Sequence, residues 1–251
     1  MRRTLENLWR GVALAAALCC GGCHHGDPDA LWKIVHQACV PDQQQHDSPR
    51  PCALVDLDQG EAAGYAVLKD INGPYQYLLI PTARVSGVDD PAAAAADAPH
   101  WWAAAWEARR FVVQSSGRSL PREALSLAIN SYYGRSQNQL HIHIDCLKPA
   151  VRDALKAHLG DIGEHWALLD LPLAGHRYQA MRLSEAGLQT GNPLRLAQDA
   201  APGTPVARLT LVVAGATFED GSPGLILLED HADLWTLDHG HGEDLQDHAC
   251  S

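Results

Sequence analysis

The amino-acid sequence predicts an α+β fold, an antiparallel sheet with flanking helices that further C-terminal strands extend. Three observations carry this expectation. Short runs that alternate in polarity come in adjacent pairs, at 65–69 with 75–80 and at 125–129 with 139–146, as hairpins require. Each pair is followed by a stretch of helical character, at 100–114 and at 149–160. Three more strand-like runs then follow, at 177–183, 207–216 and 225–229, and no internal repeat is found.

The elements follow in order. Leu31, Ile34 and Val35 mark a short helix over 30–38, leading into a polar, Pro-containing loop at 41–51. Asn72-Gly73 between the first two strands favours a tight turn, because both residues tolerate positive φ, and Pro81 stops the second strand. The alanine-rich stretch at 91–98 reads as a loop with a fraying helix start. Asp97 and Pro99 then open the helix at 100–114, which Gly117 ends and whose Trp102 and Trp106 share one core-facing side. The strands at 125–129 and 139–146 are expected to pair antiparallel across the polar loop 131–138. Pro149 opens and Gly160 closes a helix with the apolar stripe Val151, Leu155 and Leu159, and Asp220-Gly221 marks a turn between the last two strands.

With 251 residues, 46% hydrophobic and 20% charged, the chain is large enough for one sizeable core or two small ones. Its formal charge of -11 argues against nucleic acid as a partner, since such interfaces are built on excess Lys and Arg. The first residues read as a targeting segment: Arg2, Arg3 and Arg10 precede an uncharged, largely apolar run at 11–20, followed by Gly21, Gly22 and Cys23. A division into a signal or anchor segment at 1–26 and one domain at 27–251 follows. The basic residues ahead of the apolar run send the rest of the chain out of the cytoplasm, so an N-terminally anchored domain on the periplasmic side of an inner membrane is expected. Cysteine usage agrees. Outside the targeting segment stand Cys39, Cys52, Cys146 and Cys250, an even number that allows three pairings. Cys39 and Cys52 flank the polar loop; that pairing leaves Cys146 with Cys250. Four buried thiols are the alternative.

The run Gln139-Leu140-His141-Ile142-His143-Ile144-Asp145-Cys146 is the richest in chemistry. Alternation puts Gln139, His141, His143 and Asp145 on one face of a strand and four apolar residues on the other, so two imidazoles project side by side. A neutral imidazole attacks phosphorus readily, and His141, in mid-strand, suits that role, with Gln139 and His143 as groups to bind phosphoryl oxygens or protonate a leaving group. The preceding segment, with Asn130, Arg135, Ser136, Gln137 and Asn138, is dense in donors for phosphate. Metal binding is the rival, since two His at alternate strand positions can ligate Zn with Asp145 or a distant His completing the set.

The stretch 136–144 resembles the signature of the histidine-triad nucleotide hydrolases and transferases, in which the middle His is the nucleophile. Tyr77-Leu78-Leu79-Ile80-Pro81 is similar to that group's strand ending in Ile-Pro. Within the group, the CDP-diacylglycerol pyrophosphatases are resembled at 33–39, 41–45, 67–74, 125–131 and 246–248 before Cys250. The resemblance implies a histidine-triad-like sheet, no cofactor and no metal, and hydrolysis of CDP-diacylglycerol to CMP and phosphatidate. It assigns the nucleophile to His141 and the third triad position to His143, while Gln139 stands where the triad has its first His and Arg84 where many members have a His after Ile-Pro. Gln139, Asn130, Ser136, Gln137 and Lys69 are the expected substrate contacts, with Arg135 and Lys148 as further cations for the diphosphate. A diacyl substrate also gives the N-terminal anchor a purpose, because tethering raises its effective concentration.

Overall fold

The computed structural model describes residues 26–251, so the targeting segment expected at 1–26 lies outside the described residues but for Gly26. The first elements among the described residues are α1 (Ala30–Ile34), a π turn (Val35–Cys39) and α2 (Val40–His46) in unbroken succession. The helix therefore runs through Pro41, where a loop is expected from the sequence. The π turn explains this: Val40 N–H bonds back to Val35 O, and the widened backbone accommodates the proline that follows, which has no N–H to give.

Ten strands among the described residues form one sheet. They are β1 (Leu54–Asp56), β2 (Tyr65–Lys69), β3 (Tyr77–Pro81), β4 (Leu125–Ile129), β5 (Ile142–Leu147), β6 (Ala167–Leu173), β7 (His176–Ser184), β8 (Leu209–Thr217), β9 (Pro223–His231) and β10 (Gln246–Asp247). Their order is β1-β2-β3-β5-β4-β8-β9-β7-β6, every pair antiparallel, with β10 added to β5 beyond the end of β3. The expected α+β architecture is therefore observed, as is the antiparallel pairing of β4 with β5. The helices between strands are α3 (Trp101–Ser116), α4 (Pro149–Ala157), α5 (Glu185–Thr190) and α6 (Pro193–Ala200). β1, β6, α5, α6 and β10 have no counterpart in the sequence reading, because they are short, or, in β6, interrupted by Pro172 and a register shift.

One face of the sheet presents Leu79, Leu127, Ile142, Ile144, Leu211 and Leu227 to α3, whose Trp102, Trp106 and Val112 are buried against it. The other face is covered in two places. Val35 and Val40 close over Leu68, Leu78 and Ile80 at one end, and Val151 and Leu155 of α4 over Val212, Ala214 and Leu228 at the other. His143 pairs across to Leu78 on one side and Ala128 on the other, so the polar stripe of β5 runs along the seam between these two apolar clusters.

The hairpin between β2 and β3 is wider than a two-residue turn. Lys69 pairs with Tyr77, and Asp70 N–H reaches Gln76 O at 3.1 Å, so 70–76 form the loop. Gly73 lies at its tip with φ 60°, and a Cβ there would stand 2.4 Å from the Cβ of His248. The loop is spread because it packs on the chain's C-terminal end.

Both disulfides expected from the cysteine spacing are present: Cys39 with Cys52, and Cys146 with Cys250. The second spans a sequence separation of 104 and ties the C-terminus to β5. By chain-entropy arguments a closure of that length stabilises the fold by roughly 4–5 kcal/mol. Cys250→Ser is expected to lower the unfolding free energy measured in urea by an amount of that order, with little change in the far-ultraviolet spectrum of the folded protein.

Candidate active site

All six residues of β5 are buried, so each polar side chain on its seam face must find a partner inside the protein. For His143 the partners come from three places. Gln76 stands just before β3, Asn130 just after β4, and Glu243 on the single turn Gly242–Leu245 that precedes β10. Glu243 Oε1 lies 3.1 Å from His143 Nδ1 and accepts from Gln76 Nε2 at 3.2 Å, while Oε2 accepts from Asn130 Nδ2 at 2.7 Å. Asn130 Oδ1 in turn accepts from Gly242 N–H at 2.8 Å, which fixes the turn that carries the carboxylate. Burial pushes the Glu243 carboxyl up, but the adjacent His143 and the hydrogen bonds from Asn130 and Gln76 outweigh it and hold the group well below the usual carboxylate range. His143 Nδ1 approaches the carboxylate without the alignment of a full hydrogen bond, and its Nε2 is buried with no partner among the described residues.

His141 stands immediately before β5. Its Nδ1 lies 2.7 Å from the carbonyl of Gln139, and its ring meets that of His143 edge-on, centroids 4.8 Å apart. A carbonyl only accepts, so Nδ1 carries the hydrogen and Nε2 keeps its lone pair. Burial, and then the neighbouring His143, depress the imidazole to about 4. His141 is 7% exposed.

Gln139 is fully buried and spends both amide hydrogens on backbone carbonyls, Pro81 O at 3.0 Å and Ala83 O at 2.8 Å. It clamps the segment after β3 and retains no donor for a phosphoryl oxygen. Asp145, one step further along β5, accepts from Cys146 N–H at 2.8 Å and lies 2.6 Å from His248 Nδ1. Burial raises its carboxyl to about 6, with His248 acting in the opposite sense. Gln246 completes the tail's grip by donating to Ser126 Oγ at 3.1 Å.

The other sequence candidates are dispersed. Lys69 pairs with Tyr77 and thence with Ile144, which puts it on the α3 side of the sheet, opposite the imidazoles; its Nζ donates to Asp70 O and Gly73 O. Ser136 is exposed, and Gln137 holds the first described residues, donating to Asp27 O at 3.0 Å and accepting from Leu31 N–H at 3.1 Å. Arg135 pairs with Asp89 and lies over Tyr132, Arg84 pairs with Asp29, and Lys148 donates to Asp244 O at 2.6 Å. Asn130 and His143 are thus the two expected residues brought into direct contact with a common partner, Glu243. An open hollow of about 570 Å³ touches this cluster, lined by Lys148, His241, Glu243, Gln246 and His248 among others.

The residues that sequence reasoning missed are Glu243, Gln76 and His248. Gln246-Asp247-His248 is visible as a stretch of resemblance, but nothing in local pattern ties residue 243 to residue 143. Residues 26–251 match the sequence profile of a family described as CDP-diacylglycerol pyrophosphatase. The chain belongs to the CDP-diacylglycerol pyrophosphatase family. It is similar to a protein of Yersinia pestis that bears the name CDP-diacylglycerol pyrophosphatase, 43% identical over 251 residues that cover 99% of this chain and 94% of the relative. Membership in this family thus embraces every element described, from Gly26 to the disulfide-bonded C-terminus.

His141 gives a direct check on the geometry. Its folded ring takes a proton only near pH 4 and an unfolded one near 6.5, so on acidification the unfolded chain gains that proton first and His141 removes stability as the pH falls between those values. Asp145, about 6 when folded against 3.8 unfolded, has the opposite slope and removes stability as the pH rises through that window. In a nuclear magnetic resonance titration of ¹⁵N-labelled imidazoles, His141 is expected to stay a neutral Nδ1–H tautomer through pH 5.

Proposed function

We propose that this chain hydrolyses the diphosphate of CDP-diacylglycerol, releasing CMP and phosphatidate through a cytidylyl-enzyme on His141, and that it shares this chemistry with the histidine-triad hydrolases its signature resembles. The observation that carries the reading is the bond from His141 Nδ1 to the Gln139 carbonyl, which leaves Nε2 as a lone-pair nucleophile on a ring kept neutral by burial. The family name and the name of the Yersinia pestis relative support the substrate and the reaction type.

In this mechanism His141 Nε2 attacks the cytidylyl phosphorus, and the bond from that phosphorus to the bridging oxygen breaks. His143 serves as the acid: its Nδ1 faces the ionised Glu243 at 3.1 Å, and its Nε2, which has no partner among the described residues, donates to the departing phosphatidate oxygen. The phosphoramidate is then cleaved by water, which loses a proton to His143, and CMP leaves with His141 neutral again. Glu243 is a positioning residue here, anchored by Asn130 and Gln76 so that it faces His143. The reading also includes an N-terminal segment at 1–26 that holds the domain at the inner membrane with its site in the periplasm, which the two disulfides favour as a mark of an oxidising compartment.

Incubation with CDP-diacylglycerol is expected to release CMP in the presence of EDTA as well as in its absence, and cytidylyl-labelled substrate should leave acid-labile label on the protein. His141→Asn is expected to fold and to lose at least about three orders of magnitude in kcat. EDTA-sensitive turnover, or no CMP at all, defeats the reading and favours the metal-binding alternative. Glu243→Gln is expected to lower kcat by about a hundredfold with a small change in KM, since it removes the charge that faces His143 and leaves the substrate's contacts in place.

A further inference from the structure

Large apolar side chains exposed among the described residues are seven: Ile71, Tyr132, Tyr133, Leu168, Leu234, Trp235 and Leu237. Scattered singly they would need no explanation, but five of the seven lie on two loops that are bonded to each other. Ser131 N–H donates to Gly240 O at 3.0 Å, Ser131 Oγ to His239 O at 2.5 Å, and His239 Nδ1 lies 3.4 Å from Tyr133 O. Trp235 is 92% exposed and Leu237 79%.

The turn that presents them is ordered. The Asp233 carboxylate accepts from Trp235 N–H at 3.0 Å, and its carbonyl accepts from Thr236 N–H at 3.1 Å and Asp238 N–H at 3.0 Å. Asp238 is then held at 2.9 Å by His176 of β7. Leu237 has φ 63°, a left-handed backbone that a branched L side chain adopts only at a cost, and the outcome is a leucine turned to solvent.

We propose that the turn 233–238, with Tyr132 and Tyr133 beside it, seats this domain on a lipid surface of low charge. The inference rests on the proposed reaction, whose substrate carries two acyl chains. Two observations select lipid over a protein partner. Trp and Tyr together are the side chains suited to a membrane–water boundary, with an apolar body and a polar edge. The chain also enters the domain on this side: Asp27 O and Pro28 O are bound by Gln137 Nε2 and Asn138 N–H, on the loop that bears the two tyrosines, and residues 1–25 with their apolar run precede them. Because 231–245 contain no Lys or Arg, attraction to anionic headgroups has no part in this seating. The same connection carries Glu243 to His143 eight residues beyond Trp235, a span of at most roughly 29 Å, so a lipid entering at the turn is within reach of the site.

The test uses the full chain and a Trp235→Ser, Leu237→Ser double variant. Both are assayed on long-chain CDP-diacylglycerol in phosphatidylcholine vesicles and on a short-chain CDP-diacylglycerol kept monomeric in solution. The double variant is expected to lose about tenfold or more in kcat/KM on vesicles, with the soluble substrate changed by less than about twofold. Equal losses on both substrates, or none on vesicles, overturn the proposal. Brominated phosphatidylcholine gives a readout that does not depend on turnover: quenching of tryptophan fluorescence is expected to be weaker in Trp235→Phe than in the wild type, and equal quenching overturns the lipid seat. If the wild type releases no CMP from either substrate, the proposed reaction fails while the quenching result still decides the surface. A self-association that the double variant abolishes in sedimentation velocity, with quenching unchanged, assigns the patch to a second copy of the chain and also overturns the proposal.

Discussion

A strand covered on both faces leaves no water for its polar side chains, and β5 is such a strand with His143 and Asp145 on it. An imidazole or a carboxyl buried alone is among the most destabilising arrangements a core can hold, so the chain must supply partners from elsewhere. It does so from its far end. Glu243 reaches His143, His248 reaches Asp145, Gln246 reaches Ser126, and β10 extends the edge of β5 over Cys146 and Leu147. The disulfide from Cys146 to Cys250 and the wide β2–β3 loop that packs on His248 follow from the same demand, since both secure the returning tail.

Burial and specific partners separate the ionisation of the groups that the fold brings together here. His141 is driven below its ordinary range by burial and by His143, Glu243 is held ionised by the adjacent His143 and by donors from Asn130 and Gln76, and Asp145 is raised by burial despite His248. Groups whose environments push them apart can divide nucleophile, acid and orienting charge among themselves near neutral pH.

Gln139 is spent on holding backbone rather than left open to a ligand. A glutamine cannot shuttle a proton, and here it is consumed in clamping Pro81 and Ala83 to the start of β5. It thereby holds the turn whose carbonyl receives His141 Nδ1. Under the proposed reaction the chemistry rests on His141 and the His143–Glu243 pair; of the cations that the sequence offers for a diphosphate, Lys69 stands on the opposite face and Arg135 is paired with Asp89, while Lys148 lines the hollow beside Glu243.

Alternation and turn chemistry are local, which is why β2, β3, β4, β5, α3 and α4 are legible within a few residues of their ends, and why the two imidazoles are seen at once. Cysteine spacing narrows the disulfides for a similar reason, because only four candidates lie outside the targeting segment. Where the reading stopped at residue type, it could not tell which of Lys69, Ser136 and Gln137 would stand near the histidines: a donor's usefulness depends on the face and the neighbour it is given. Helix continuation through Pro41 required the π turn before it. The joining of Glu243 to His143 across a hundred residues was decided by tertiary structure alone, since no local periodicity encodes which distant carboxylate will satisfy a buried imidazole, and only the closed sheet brings the two together.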